Sequence, residues 1–383
     1  MKKNSKQKIS FIIGSLNIGG TERHLLNLVN RLDPLKYCID IHLLKEKGIL
    51  FDELNSSIRK FYPQKFIYKK IDHFFNFFRT LWRIKITKPD IIHCFLPHSY
   101  LFGGMIGLIL NHKKIIMSRR SLNSYQNNFK FFPIKKLEIF LHKRTKLILA
   151  NSMAVKKQLI NEECVEKKKC KIIYNGIIEP KKNNYKVSDL KKQLGISPIR
   201  EFVFSSISNF IPYKNHIMII KAAKKLLTIT KNFKIFFVGA GKKQYINFLK
   251  DEVKTNNLNE NIFFFNQTKE TAKFFLISDV GISSSREEGL SNTILEFLYF
   301  GKPVIATKVG GNPELIDKSN GFLIESDNYE QMFLAMKSII KNKKKYQRLK
   351  KGAKRKSKLF TFDSMIKKYE EVYDELRKVN STN

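Results

Sequence analysis

The sequence has no Asp-x-Asp triplet, and its four cysteines, Cys38, Cys94, Cys164 and Cys170, form no Cys-x-x-Cys pair. Neighbouring carboxylates are a common means of holding a magnesium ion on a phosphate, and paired cysteines are typical of structural zinc sites. We therefore expect no bound metal and no cofactor. Cysteines at these spacings also define no disulfide framework, so reduced thiols in a cytoplasmic protein are the simplest interpretation.

Acidic residues are scarce. The chain has 33 aspartates and glutamates but 72 lysines and arginines, which gives a formal net charge of +39. Such an excess favours polyanionic partners: nucleic acid, an anionic lipid surface or a phosphorylated substrate. Lysine, isoleucine, asparagine and phenylalanine are all abundant, a bias typical of an AT-rich genome that raises the lysine content without any function. No nucleic-acid-binding motif is recognisable, so nucleic acid is not an expected partner.

Long hydrophobic runs are absent as well. Residues 94–110 carry no formal charge, but they include Pro97, His98 and three glycines. A membrane-spanning helix needs about 20 predominantly apolar residues. We therefore predict that this stretch is a buried helix of an α/β domain rather than a membrane span.

Short apolar segments alternate with amphipathic helical patterns along the chain, which predicts parallel sheets built from strand–helix–strand units. Two such series are separated by a polar, basic stretch that contains two prolines. The expected organisation is an N-terminal domain over residues 1–175, a linker over 176–200, a C-terminal domain over 201–360 and a terminal helix within 361–383.

The most informative stretch is residues 285–316, SREEGLSNTILEFLYFGKPVIATKVGGNPELI. Glu288 stands in a glycine turn, and Glu296 follows in a helix, with seven residues between the two. Ser291 or Asn292 can cap that helix, whose first N–H groups have no acceptors within the helix. Backbone donors for a phosphate and carboxylates for sugar hydroxyls therefore come together in one place.

This stretch closely resembles the signature of glycosyltransferase family 4. The resemblance implies an α/β protein of the GT-B fold, in which two Rossmann-like domains face each other across a cleft and the terminal helix crosses back to the first domain. It also implies transfer of a sugar with retention of the anomeric configuration. By the same resemblance Glu296 binds the ribose of a nucleotide-sugar donor and Glu288 binds the transferred sugar, whereas Glu287 lies off the motif. Further donor contacts are implied for Gly289, Leu290, Ser291 and Asn292.

A second segment, SNFIPYKNH over residues 208–216, is similar to the family's diphosphate-binding segment. That segment typically carries an arginine and, five residues later, a lysine. Here Asn209 stands in place of the arginine and Lys214 matches the lysine. Neutralisation of the leaving diphosphate is then expected from Lys214 and from helix N-terminal amides. FVGAG, with Gly239, resembles a turn that lies near the nucleotide, although a plain chain reversal explains it equally well.

The first domain offers a glycine loop between its first strand and first helix. Gly19 and Gly20 allow close approach of a ligand to the backbone, and the helix N-terminus favours an anion. GGTERHLLNLV resembles the family loop that faces the donor phosphates and the acceptor, which places Thr21 and Glu22 on the acceptor side. The spacing is not the dinucleotide fingerprint Gly-x-Gly-x-x-Gly, so no nicotinamide cofactor is indicated.

Many family members place a histidine near the sugar, after the fourth or fifth strand of the first domain. The matching stretch here is SRRSLN, residues 118–123, and it offers two arginines that could stabilise a diphosphate or an acidic acceptor. His93 and His98 are nearby in the sequence. The candidates for the catalytic site are Glu288, Lys214 and Arg120, and the acceptor-side candidates include Arg119, His93 and His98.

Two segments of the first domain combine positive charge with aromatic residues. Residues 59–88 carry nine lysines and arginines and one acid, and residues 111–146 carry ten and one. Such segments suit the anionic inner face of the cytoplasmic membrane, with ordinary sheet-covering helices as the alternative. Residues 331–358 are equally basic and are expected to form a solvated face.

Taken with the resemblance, these features predict transfer of a hexose-type sugar from a nucleotide-sugar donor to a saccharide or lipid-linked acceptor in cell-surface polysaccharide synthesis. A nucleotide-sugar epimerase of the same fold is an alternative that needs no acceptor. A binding protein with a decayed catalytic site is another, since Asn209 replaces an arginine and a catalytic histidine is not evident.

Overall fold

The chain forms two compact units in a computed structural model, the first comprising Met1–Gly176 with Asp363–Asn383 and the second Ile177–Phe362. Each unit is an α/β structure with one parallel sheet, as the alternating pattern predicts. The phenylalanine-rich segment 129–132 of the second basic stretch lies outside the described residues. The structure describes residues 6–63, 69–128, 134–178, 185–193, 196, 201–268 and 270–378.

The sheet of the first unit has, within the described residues, seven strands in the order β3-β2-β1-β4-β5-β6-β7, and all neighbouring pairs are parallel. Most of these strands are continuous apolar runs because helices cover both faces of the sheet. The strands are β1 Gln7–Ile13, β2 Tyr37–Leu43, β3 Arg59–Phe61, β4 Ile91–Phe95, β5 Ile115–Arg119, β6 Leu147–Ala150 and β7 Cys170–Ile172. The helices are α1 Gly20–Arg31, α2 Lys69–Thr87, α3 Pro97–Ile109, α4 Ile134–Arg144, α5 Met153–Glu162 and α14 Phe362–Lys378.

The last helix, α14, is part of the first unit although the second unit precedes it in the chain. Its Tyr373 is fully buried, and the hydroxyl lies 2.9 Å from Nδ1 of His93 on β4. Gln7 of β1 donates from its side-chain amide to the backbone oxygen of Tyr373 at 3.0 Å. The hydroxyl of Tyr369 lies 3.0 Å from Nε2 of His24 on α1. These contacts hold α14 against the first strand, the fourth strand and the first helix.

The second unit contains, in the part of the chain that is described, a six-stranded parallel sheet in the order β10-β9-β8-β11-β12-β13. Its strands are β8 Phe202–Ile207, β9 Phe233–Gly239, β10 Ile262–Asn266, β11 Val280–Ser283, β12 Val304–Thr307 and β13 Gly321–Ile324. Its helices are α6 Val187–Gln193, α7 His216–Leu227, α8 Lys243–Thr255, α9 Ala272–Ile277, α10 Asn292–Tyr299, α11 Asn312–Leu315, α12 Tyr329–Lys341 and α13 Lys343–Ser357.

The basic segment between the two sheets contributes to the second unit. Leu190 of α6 and Ile196 are buried in an apolar cluster with Phe236, Val238 and Phe274. The described part of residues 176–200 therefore carries core side chains in addition to connecting the two sheets. The strands β3 and β13 are further elements that the apolar pattern does not reveal.

Both sheets have one point at which the order of strands reverses direction. In the first unit this point lies between β1 and β4, and in the second between β8 and β11. The connections that follow these neighbouring strands leave in opposite directions, which opens a crevice outside their carboxyl ends. Ligands of open α/β sheets bind in that crevice. The loops after β1, β4, β8 and β11 therefore border the crevices in which a ligand would bind.

Candidate functional site

The loop after β8 presents Lys214 at the end of a short 3-10 turn, Pro212–Lys214. Asn215 follows in the left-handed conformation, with φ of 55°, which asparagine tolerates better than most residues. Its side-chain amide donates to Asp327 at 2.8 Å, and this bond helps to hold the unusual conformation. Helix α7 then begins at His216. The position of Lys214 is thus set by the 3-10 turn that it ends and by the anchored Asn215 that follows it.

The loop after β11 is tied directly to the loop after β8. Ser284 donates from its hydroxyl to the backbone oxygen of Lys214 at 2.7 Å. The backbone N–H of Arg286 donates to the backbone oxygen of Tyr213 at 2.8 Å. The two loops at the reversal point of the sheet therefore form one structure, although about seventy residues separate them in the sequence.

Lys214 and Glu288 form an ion pair at the centre of this structure. The ammonium donates to Oε1 of Glu288 at 2.5 Å, and the hydroxyl of Ser285 donates to the same oxygen at 2.8 Å. The side chains of Lys214 and Glu288 are 17% and 14% exposed. Burial opposes the charge of Lys214, but Glu288, Tyr213 and Glu287 together outweigh it and raise the pKa of Lys214 above its usual value. Lys214 is therefore a fixed cation at neutral pH.

Helix α10 begins at Asn292, four residues after Glu288 of this ion pair. Ser291 caps it by accepting a hydrogen bond from the backbone N–H of Ile294 at 3.3 Å, and it is one of the two caps that the sequence offers. Leu290 is buried, whereas Asn292 and Glu296 are partly buried. The helix N-terminus carries a partial positive charge, so an anion beside Lys214 would be attracted by both.

Gly239 and Asn209 are brought together at the neighbouring strand end. A Cβ atom at Gly239 would lie 2.1 Å from the backbone oxygen of Ser208 and 3.3 Å from Cα of Asn209. The N–H of Phe210 donates to the oxygen of Ala240 at 2.7 Å. Glycine is thus required for this close approach, and Asn209, which is exposed, lies beside the turn.

The glycine pair after β12 supports the backbone of Glu288. Gly310 has φ of 49°, and a Cβ atom there would lie only 1.6 Å from the backbone oxygen of Glu288. Gly311 donates from its N–H to the backbone oxygen of Gly289 at 3.0 Å. These contacts and Ser285 are positioning features that sequence reasoning left without a role. The sequence signal for the two glycines was the segment GGNPEL, residues 310–315, which lies in the family-like stretch 285–316 but was given no role there.

In the first unit Gly19 and Gly20 begin helix α1, as the sequence predicts. The carboxylate of Glu22 folds back over Gly19, since a Cβ atom there would lie 2.2 Å from Oε2 of Glu22. Burial raises the pKa of Glu22, and the positive charge of Arg120 partly offsets that effect. Arg120 donates to the side-chain oxygen of Asn175 at 2.8 Å. Glu22 and Arg120 are therefore electrostatically coupled, with the partly buried Thr21 beside Glu22 in the chain.

His93 and Arg119 lie inside the first unit. Nδ1 of His93 is 2.9 Å from the hydroxyl of Tyr373, and Nε2 is 2.9 Å from the hydroxyl of Ser118. Burial lowers the pKa of His93 to about 3, so its ring is neutral. Arg119 is 1% exposed. It pairs with the fully buried carboxylates of Glu138 at 3.5 Å and Glu163 at 2.7 Å. Both side chains have the contacts expected of structural residues.

His98 is exposed at the start of α3, directly after β4. The preceding Leu96 has φ of 73°, a conformation that is strained for a leucine. Partial burial of the ring and the nearby charge of Lys45 lower the pKa of His98, against the effect of Glu138. Of the two candidate histidines, His98 is the one that the structure places on an exposed helix start, just after a strand that borders the reversal point of the sheet.

The described residues include neither a group of side chains suited to bind a metal ion nor a helix suited to span a membrane. Among the described residues, no group of three or more His, Cys, Asp and Glu side chains could hold a metal ion. The helices described here also include none with the length and apolar character needed to cross a bilayer.

Two family models match the chain. The model described as "Glycosyltransferase Family 4" matches residues 18–179, and the one described as "Glycosyl transferases group 1" matches residues 186–356. Between them they cover most of both units. The chain belongs to glycosyltransferase family 4, and its fold is that of the GT-B glycosyltransferases, as the motifs predict.

Two bacterial relatives illustrate the family. One, from Campylobacter jejuni, is N-acetylgalactosamine-N,N'-diacetylbacillosaminyl-diphospho-undecaprenol 4-alpha-N-acetylgalactosaminyltransferase. It is 27% identical over 375 residues, which cover 92% of this chain and 96% of that protein. The other, from Escherichia coli, is UDP-Gal:alpha-D-GlcNAc-diphosphoundecaprenol alpha-1,3-galactosyltransferase, 25% identical over 89% of each chain.

Solved structures share the fold along nearly the whole chain. HepE from Anabaena, in complex with UDP and glucose, matches with a TM-score of 0.82 at 19% identity, covering 96% of this chain and 100% of that chain. Sucrose-phosphate synthase from Thermosynechococcus elongatus matches with a TM-score of 0.80 at 17% identity, covering 98% and 100%. At these identities the likeness shows the fold alone.

Proposed function

We propose that this protein transfers a sugar, with retention of configuration, from a nucleoside-diphosphate sugar to a hydroxyl of a lipid-linked saccharide. The observation that carries the proposal is the ion pair of Lys214 and Glu288 at the reversal point of the second sheet, beside the capped N-terminus of α10. A fixed cation, a helix N-terminus and two carboxylates are complementary to a diphosphate that carries sugars on both sides.

Each group has a distinct role in the proposed donor complex. The diphosphate accepts hydrogen bonds from Lys214 and from the backbone around the start of α10. Glu296 accepts two hydrogen bonds from the vicinal hydroxyls of the ribose, for which a carboxylate is well suited. Glu288, which Ser285 orients, accepts hydrogen bonds from the transferred sugar. No metal ion is needed in this arrangement, because Lys214 and the helix supply the positive charge.

The proposed reaction exchanges one bond of the anomeric carbon for another. The bond to the diphosphate oxygen breaks, and the acceptor oxygen attacks from the same face of the sugar. The proton of the acceptor hydroxyl passes to the departing phosphate oxygen, so no separate protein base is required. Lys214 stabilises the negative charge that grows on the leaving group, which is the kind of stabilisation that accelerates such steps most.

The relatives support the choice of substrates. Two of them are named for acceptors on undecaprenyl diphosphate, one of these also for a UDP-sugar donor, and HepE was crystallised with UDP and glucose. A uridine nucleotide sugar and a polyprenyl-diphosphate-linked saccharide are accordingly the first donor and acceptor to test. Synthesis of a cell-surface polysaccharide would use such a reaction.

The test has two stages. Thermal shift with a panel of nucleotide sugars identifies the donor, because a ligand that binds the folded state stabilises it by mass action. The donor is then incubated with undecaprenyl-diphosphate-linked acceptors, and the anomeric configuration of the product is read by NMR. We expect an α-linked product from an α-configured donor. Inversion would contradict the retaining mechanism, and sugar interconversion without an acceptor would favour an epimerase instead.

A further inference from the structure

Helix α2 turns most of its described aromatic side chains outward. Phe74 and Trp82 are each 63% exposed and Phe78 is 48% exposed, whereas Asn76 and Thr80, on the opposite side of the helix, are 7% and 5% exposed. An ordinary sheet-covering helix has the reverse arrangement, with aromatic residues inward and polar residues outward. Phe77, Leu81 and Ile84 pack into the apolar core of the first unit, so α2 is docked there by a different face from the one that carries the outward aromatic residues.

The exposed apolar residues of α2 form one continuous stripe. Phe74, Phe78, Trp82 and Ile86 are spaced four residues apart, and Phe75 lies within the same arc, which spans about 120° of the helix circumference. The rings of Phe74 and Phe78 are in contact, with centroids 4.7 Å apart. We call these five residues the α2 stripe. A continuous exposed apolar stripe rimmed by polar groups marks a surface that binds something apolar.

Positive charge borders the α2 stripe. Arg79 and Arg83 follow one rim of it, and Lys85 lies within the same exposed face. Helix α2 contacts α3 through the rings of Phe77 and Phe102, 5.2 Å apart, and α3 packs against α4. Helix α4 exposes Phe140 and four cationic side chains, namely Lys135, Lys136, Lys143 and Arg144.

Negative charge is absent from the described exposed side chains of these three helices. The carboxylate of Glu138 on α4 is fully buried in its ion pair with Arg119. Helix α3 has no charged residue in its sequence, and it exposes Met105 and Ile109. The surface of α2, α3 and α4 thus combines apolar and cationic groups, which is the composition of helices that lie in the interface of an anionic bilayer.

We propose that the α2 stripe docks this protein on an anionic lipid bilayer. Phe74, Phe78 and Trp82 would enter the boundary between headgroups and acyl chains, while Arg79, Arg83 and Lys85 contact the lipid phosphates. A second copy of the chain is a poorer occupant, because a symmetric contact would bring like cationic rims together. Docking of this kind leaves the helix parallel to the membrane and requires no spanning segment.

Trp82 gives a direct readout, because it is the single tryptophan of the chain. We expect its fluorescence emission to shift to shorter wavelength when vesicles of phosphatidylcholine with phosphatidylglycerol are added. Bromine-labelled acyl chains should then quench it, and acrylamide should quench it less than in the free protein. Vesicles of phosphatidylcholine alone should have little effect, since their headgroups carry no net negative charge to attract the cationic side chains.

Two matched pairs of variants locate the docking surface. Phe74→Ser with Phe78→Ser should lower binding to the anionic vesicles by about tenfold or more, while Leu334→Ser with Leu359→Ser, at exposed positions of the second unit, should leave it unchanged. A second pair removes three positive charges from each of two surfaces. The triple variant Lys85→Gln, Lys135→Gln and Lys136→Gln should bind the anionic vesicles far more weakly than the wild type. The control variant Lys343→Gln, Lys344→Gln and Lys351→Gln, on α13, loses the same charge and should bind nearly as well as the wild type. The stabilisation of each variant by a nucleotide-sugar donor serves as a folding control and reports separately on the proposed function.

Three results would overturn the proposal. One is a Trp82 emission that anionic vesicles leave unchanged. Another is an emission shift that depends on protein concentration without lipid, which would identify a second copy as the occupant. The last is quenching of Trp82 by single-stranded RNA without a response to vesicles, because bases stack on exposed aromatic rings next to positive charge.

Discussion

Lys214 and Glu288 lie 74 positions apart in the sequence, yet the ammonium of one is 2.5 Å from the carboxylate of the other. The pair forms because the loops after β8 and β11 meet at the reversal point of the sheet. In the proposed donor complex the diphosphate competes with Glu288 for the ammonium, so Glu288 becomes available to the sugar. The ion pair therefore keeps both groups oriented before the donor arrives.

Substitution of Lys214 tests the role of the cation. We expect Lys214→Ala to lower kcat by about 10²-fold, because charge grows on the leaving diphosphate in the transition state, and to weaken donor binding less. Lys214→Arg should recover part of the loss, since it keeps the charge. Steady-state kinetics combined with donor calorimetry separates the two effects, and wild-type turnover in Lys214→Ala would remove Lys214 from the mechanism.

Substitution of Glu296 tests the ribose contact. Glu296→Gln should weaken donor binding by about 1–3 kcal/mol and leave thermal stability close to that of the wild type, because one charged acceptor is replaced by an amide of the same shape. Glu287→Gln is the matched control, since that residue lies one position off the motif. Equal donor affinities for wild type and Glu296→Gln in calorimetry would exclude the contact.

Gly310→Ala should destabilise the second unit and lower turnover together. A Cβ atom at Gly310 would meet the backbone oxygen of Glu288, and the positive φ adds strain, so we expect a loss of about 3 kcal/mol or more in unfolding free energy. Gly301→Ala is the control, because Gly301 has φ of 66° but its nearest neighbouring atoms lie 3.9 Å away. That variant should lose only about 1 kcal/mol, and equal losses in chemical denaturation would argue against the contact with Glu288.

Acid should destabilise the protein through buried neutral histidines. Burial, with the charges of Arg83 and Arg59, lowers the pKa of His42 to about 3 in the folded state, against about 6.5 when unfolded. Its contribution is therefore complete above about pH 6.5 and is lost as the pH falls towards 3, with about 2 kcal/mol lost by pH 5. His42→Phe, which keeps the stacking with Phe61, should flatten the pH dependence of unfolding by that amount. An unaltered profile would contradict the assignment.

The order of strands and helices was predictable because most strands are continuous apolar runs. Two strands escaped prediction because of their composition. β3 (Arg59–Phe61) has two basic residues among its three, and β13 (Gly321–Ile324) begins with a glycine, a residue that is depleted in strands. Both are defined by pairing with a neighbouring strand. A cap of α10 at Ser291 or Asn292 was predictable because capping depends on residues adjacent in the sequence, and the structure selects Ser291.

Side-chain direction was harder to predict. Periodicity places Phe74, Phe78 and Trp82 on one face of a helix but does not say which face the sheet covers, and here the aromatic face points outward. Arg119 resembles its neighbour Arg120 in the sequence, yet only the fold reveals that Glu138 and Glu163, 19 and 44 positions away, enclose it. Such long-range pairing has no local signal.

The most direct test of the central claim is a crystal structure of the protein with its nucleotide-sugar donor. We predict that Lys214 contacts the diphosphate, that both carboxylate oxygens of Glu296 lie about 2.6–3.2 Å from the ribose hydroxyls, and that Glu288 contacts the transferred sugar. A donor bound with Glu288 and Glu296 pointing away from its sugars would contradict the claim.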